Sequence, residues 1–136
     1  MDRGTKIYAL ILGIFTLSLA FIFFYESPKV SELNDRLESI TLIKEFPYHF
    51  KVLRINNGTA VMSTPRSTEV PVARILSILF PEVKGKSTQS SDYQKAQKKL
   101  ANVQNTARKT VLEDNEVQRI RWELDRSWLL QHGISI

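Results

Sequence analysis

Hydrophobic and polar positions divide the chain into stretches with different periods. The first, Ile7–Tyr25, has no period: it is 19 consecutive uncharged residues interrupted only by Gly13, Thr16 and Ser18. As a helix rising ~1.5 Å per residue it would cover about 28 Å, close to the ~30 Å hydrocarbon core of a bilayer. Tyr8 and Tyr25 mark its two ends, where amphipathic rings favour the interface. Ser18 and Ala20 also fit a small-x-small signal cleavage site, but the apolar run continues through Phe21–Tyr25, where a signal peptide would turn polar. The expectation is an uncleaved anchor over 7–25 after a short segment 1–6.

Beyond it the pattern becomes amphipathic. Ser27-Pro28 reads as a helix start, and Val30, Leu33, Leu37 and Ile40 recur at spacings of three and four, predicting a membrane-proximal helix from Pro28 to Lys44 within a segment 26–45. Its stripe either packs on its own domain or pairs with another copy through Leu33, Leu37 and Ile40. Phe46-Pro47-Tyr48 ends the helix. Two β-prone runs follow, His49–Ile55 and Thr59–Thr64, joined by Asn56-Asn57-Gly58, a strong hairpin signal because both Asn and Gly accept positive φ. The Asn57-Gly58-Thr59 sequon reads as turn chemistry.

Thr68, Glu69 and Pro71 resemble a helix N-terminus, with an apolar helix over Glu69–Phe80 stopped by Pro81. After a Gly/Ser/Thr-rich loop, Asp92–Glu113 carries Tyr93, Ala96, Leu100, Val103, Ala107 and Val111 on one face and lysines on the other. Val117–Leu124 alternates as a strand, Asp125–His132 suits a short helical turn, and Gly133–Ile136 is a tail. The order predicts an α+β domain over 46–132: a β-β-α-α-β unit with a three-stranded, mostly antiparallel sheet and helices on one face.

Composition narrows the chemistry. In 136 residues there is no cysteine, which excludes disulfides, thiol catalysis and Cys-based metal sites. His49 and His132 lack ligand-spaced neighbours, and with five glycines there is little material for a phosphate loop. No cofactor, metal or catalytic constellation is expected. The net charge of +5 is a modest basic excess, and the long helix's basic face lacks the aromatic interleaving that single-stranded nucleic acid requires. Arg3 and Lys6 precede the span, whereas Glu26, Glu32, Asp35 and Glu38 outnumber Lys29 and Arg36 after it. The positive-inside rule therefore predicts a cytoplasmic N-terminus with the domain outside.

Two clusters are candidate binding sites. Arg121, Arg126 and Trp128 lie in an arginine- and tryptophan-rich stretch of the kind that dominates protein interfaces, with Trp122 better suited to the core. Ser63, Thr64, Arg66, Ser67 and Thr68 bring hydroxyls and a guanidinium before a helix start, suited to a small anion or carboxylate.

The segments Phe46-Pro47-Tyr48, Phe50–Arg54, Ala60–Ser67 and Arg121–Arg126 resemble an uncharacterised family of short single-span proteobacterial proteins, some of them labelled glutamate–ammonia-ligase adenylyltransferase. The resemblance implies an inner-membrane protein with its domain in the periplasm. Nucleotidyl transfer requires carboxylates holding Mg²⁺ beside a phosphate loop, a constellation missing from this sequence. The expectation is a non-enzymatic accessory or assembly subunit with a protein partner, the alternative a periplasmic sensor for a small anion or carboxylate.

Overall fold

The computed structural model describes residues 2–24 and 27–136. Helix α1 spans Arg3–Phe24 and is capped by Asp2, whose carboxylate accepts from the Thr5 amide at 2.9 Å. Its stretch Arg3–Phe21 is long and apolar enough to cross a membrane, and every side chain from 2 to 21 is exposed. The Thr16 and Ser18 hydroxyls bond back into the helix, Thr16 to the Leu12 carbonyl and Ser18 to that of Ile14, both at 2.9 Å. Both hydroxyls are thereby satisfied within the helix, as an apolar medium requires. Whether the span runs on into the next helix lies outside the described residues, as does the position of Tyr25.

The helix expected over Pro28–Lys44 is not continuous. It divides into α2 (Pro28–Glu38) and α3 (Thr41–Lys44). At the break the Ser39 hydroxyl donates to the Arg36 carbonyl at 2.6 Å and Ile40 is extended, with φ −91° and ψ 115°. A serine bonding its own backbone, followed by two β-branched residues, is poor helix material. Leu33 and Leu37 are 0% and 1% exposed and belong to the domain's own core, joined by Val30 and Ile43. The stripe therefore serves this core and is not available for pairing between copies; Ile40 also packs against it.

Strands β1 (Val52–Asn56) and β2 (Thr59–Thr64) form the expected hairpin, with Asn57 at φ 50° and Gly58 at φ 79°. The first strand begins at Val52 instead of His49, and a bulge lies between Val52 and Arg54. Helix α4 covers Val72–Leu79, a 3₁₀ turn covers Pro81–Val83, and α5 covers Ser91–Leu112. The Ser90 side chain caps α5 by accepting from the Tyr93 amide. Strand β3 (Arg119–Leu124) and α6 (Arg126–Gln131) complete the domain. The tail is not loose: Ile134 is buried and its amide bonds the Leu129 carbonyl.

The sheet order is β1-β2-β3, and here the expectation of a mostly antiparallel sheet fails. β1 pairs antiparallel with β2, but β3 lies parallel to β2, so the sheet is mixed. A parallel neighbour needs a long crossover, and α5 supplies it. Its 22 residues, at ~1.5 Å each, return the chain over more than the length of a six-residue strand. The hairpin turn then fixes where β3 starts, since the Gly58 carbonyl accepts from the amides of Gln118 (2.7 Å) and Arg119 (3.2 Å).

Core side chains from α2, α4, α5 and the inner sheet face meet in one cluster. Its aromatic part stacks Phe46 against Phe50 (6.1 Å) and sets Tyr48 edge-on to Phe50 (5.0 Å). An ionic clasp on the outside joins α2 to the end of α5. Lys29 lies 3.1 Å from Asp114 and 3.2 Å from Glu32, while Arg36 lies 2.8 Å from Glu32.

Candidate functional site

The helices cover one face of the sheet and leave the other open. Across that open face the register aligns Arg54, Val61 and Arg121, with Thr59 beside Arg119 and Ser63 beside Glu123. Arg54, Arg119 and Arg121 are exposed. Arg54 reaches across β2 to hold Glu123 with both guanidinium ends, at 2.7 and 3.3 Å. Val61 is 3% exposed yet outside the core cluster, so these long side chains cover it. The Arg54 bond holds the Glu123 carboxyl below its usual range; it is an anion at neutral pH and no reservoir of protons.

At the C-terminal ends of β2 and β3 this face deepens into a cleft of about 370 Å³ lined by Lys51, Ser63, Glu123, Asp125 and Arg126. Two expected clusters thus meet there in part. Ser63 is 1% exposed; its amide donates to the Lys51 carbonyl at 2.9 Å, and its hydroxyl accepts from the Lys51 amide at 3.3 Å. Arg126 opens α6 and is exposed, as is Arg121.

Trp128 sits differently from a free interface residue. It is half-buried, with its ring edge-on to Tyr48 at 5.3 Å and against His132 at 4.4 Å. Its amide donates to Asp125, the cap of α6, at 3.1 Å, and the second Asp125 oxygen accepts from the Tyr48 hydroxyl at 2.8 Å. Burial raises the Tyr48 hydroxyl well above its ordinary value, so it stays protonated and donates. Trp128 therefore seats α6 on the domain.

The hydroxyl cluster does not converge on an anion site. Ser63 and Thr64 are buried within β2, and α4 begins only at Val72, capped by Pro71 without a side-chain bond. Thr64 donates to Gln104 and accepts from the Arg66 amide, and Ser67 accepts from the Glu69 amide. Arg66, Ser67 and Thr68 line a separate shallow hollow of about 240 Å³ floored by Val70, Val72 and Ile75.

Among the described residues no group of three or more His, Cys, Asp or Glu is arranged to hold a metal. His49 is exposed, and His132 lies 2.8 Å from the Trp128 carbonyl at the end of α6. Nor is any buried side-chain polar atom left without a partner among the described residues.

Comparison with protein-family models, curated proteins and solved structures gave no match.

Asn34 is the residue that sequence reasoning missed. From α2 its side chain accepts from the Val52 amide (2.7 Å) and donates to the Val52 carbonyl (3.0 Å), replacing a strand at the outer edge of β1. A polar residue beside an apolar stripe gave no hint of this, because the partner lies 18 positions away in another element.

Proposed function

We propose that the chain is a non-enzymatic, single-pass membrane protein that presents a small binding domain, as an accessory or assembly subunit of an inner-membrane complex. One observation carries the reading. A 22-residue helix with its described side chains exposed to position 21 adjoins a domain whose core contains none of them and whose sheet leaves one face uncovered. Exposed apolar surface on that scale needs a lipid environment. The charge asymmetry around the span favours a cytoplasmic N-terminus and a periplasmic domain, and anchoring raises the local concentration of any partner in the same membrane.

Contact falls to Arg121, Arg126 and the open sheet face, while Trp128 stabilises α6. The alternative, an anion sensor centred on Arg66, has less behind it, because its five residues divide between two places.

The test is site-specific photo-cross-linking in intact membranes, with the photoreactive residue at Arg121 or Arg126 and at Ser87 as control. Defined adducts from the first two and none from Ser87 support the reading. Equal labelling at all three, or none anywhere, overturns the assigned surface. Topology is tested separately. Since the chain lacks cysteine, single-cysteine variants at Asp2 and Ser87 should be labelled from opposite sides of the membrane; recovery of chains lacking residues 1–20 would show a cleaved signal instead.

A further inference from the structure

The sheet has one unfinished edge. The Asp125 amide donates to the Thr64 carbonyl and the Arg119 amide to that of Gly58. In a parallel ladder alternate residues turn their backbone groups to the same neighbour. Arg119, Arg121 and Glu123 therefore bond β2, leaving the N–H and C=O groups of Ile120, Trp122 and Leu124 facing outward. Among the described residues no backbone group on the far side of β3 bonds to them. The opposite edge of the sheet is treated differently: Asn34 closes it at Val52 and a bulge bends it.

We infer that the free edge of β3 pairs antiparallel with β3 of a second copy of this chain, across a two-fold axis at Trp122. This deepens the interaction reading above by naming one partner. Charge complementarity favours this pairing in the only kind of register the outward groups permit. Those groups belong to even-numbered residues, so Ile120, Trp122 and Leu124 must form the hydrogen-bonded pairs. Centred on Trp122, Ile120 faces Leu124 of the second copy, and Arg121 faces its Glu123, twice by symmetry. Shifting the axis by one residue places Arg121 opposite itself, or Glu123 opposite itself, and like charges directly opposite destabilise. Arg121 forms no salt bridge within its own chain among the described residues, although it lies close enough to Glu123 to lower that carboxyl. An isologous contact of this kind closes on itself, and co-anchoring of the two copies in one bilayer favours it.

The test uses the purified full-length chain in detergent and in nanodiscs, with mass measured by light scattering and no other protein present. Failure here consequently leaves the reading of a different protein partner standing, and the mass of a photo-adduct at Arg121 tells the two apart: twice the chain's mass reports this pairing, any other mass a different partner. The wild-type chain should dimerise. R121E alone and E123R alone should each weaken the dimer about tenfold or more, since each exchanges two attractive cross-strand pairs for repulsive ones. The double variant R121E/E123R should restore it. Far-UV circular dichroism checks that each variant is folded.

A second measurement holds even if a charge variant misfolds. Chains carrying R121C mixed with chains carrying E123C should form a disulfide-linked dimer under mild oxidation, several-fold more than either variant alone. A wild-type chain that is monomeric overturns the proposal. So does a dimer indifferent to both single reversals, or cross-linking that is equal in mixed and unmixed samples.

Discussion

Two helices of this chain have the same length and opposite fates. Both α1 and α5 run for 22 residues. In α5 the apolar residues Tyr93, Ala96, Leu100, Val103, Ala107 and Val111 fall on one stripe and are all buried, while the lysines face water. In α1 they surround the axis, and none from 2 to 21 is buried against the domain. Total length and helix propensity cannot distinguish the two. What separates them is angular distribution: a stripe can be satisfied by one protein surface, whereas a complete apolar girdle needs a medium that is apolar on all sides.

The comparison can be broken first at the stripe. Leu100 is 1% exposed, so Leu100→Ala should cost about 2–5 kcal/mol of domain stability by denaturant titration; a negligible loss would show that α5 does not organise the core. The matching change in α1 should act on a different observable. Leu12→Arg places a charge in the girdle at a cost of about 2.5–3.5 kcal/mol, reducing the carbonate-resistant membrane fraction while the domain melts as before. A fall in domain melting with unchanged membrane retention would reverse the two assignments.

Smaller changes sharpen the picture of the domain. Asn34→Ala leaves the Val52 amide and carbonyl without their side-chain partner and should cost about 1–3 kcal/mol, with faster hydrogen exchange at Val52. Slow exchange in that variant would mean something else protects the edge. The mildest expected effect is on acid stability. The Glu116 amide, and then Lys29, hold Asp114 below its ordinary value of 3.8. A depressed carboxyl stabilises the fold fully above its ordinary value, and that contribution disappears as pH falls through the lowered one. Asp114→Asn should therefore flatten part of the acid limb of the stability curve and leave its slope near neutrality alone; an unchanged acid limb would show that the Asp114 carboxylate contributes nothing to stability.

The sequence was most informative where the signal was local. Asn57-Gly58 sits in the turn its φ tolerance implied, and α5 begins and ends one residue before the expected Asp92–Glu113. The break at Ser39–Ile40 was hidden because the apolar spacing continues across it, and spacing says nothing about a hydroxyl that bonds its own backbone. The direction of β3 was hidden for another reason. Alternation of Ile120, Trp122 and Leu124 assigns a face without assigning an orientation, and only the travel of α5 decides that β3 runs with β2. The candidate site was half legible. Arg121 and Arg126 stand on the surface, but the Ser63–Thr68 cluster depended on a helix start that lies further on, at Val72. Arg54, 69 residues from Glu123, could be assigned to that surface only once the strands were in register.

The small bond pair between Asn34 and Val52 has a consequence out of proportion to its size. A sheet open at both ends behaves as a bifunctional monomer: each addition leaves a new reactive end, and growth continues into ribbons and fibrils. With β1 pinned at Val52 by Asn34 and bent by a bulge, and a straight run of outward groups left on β3, the two edges of this sheet are not equivalent. Addition is therefore favoured at one edge over the other, which biases step growth toward its first product instead of a ribbon.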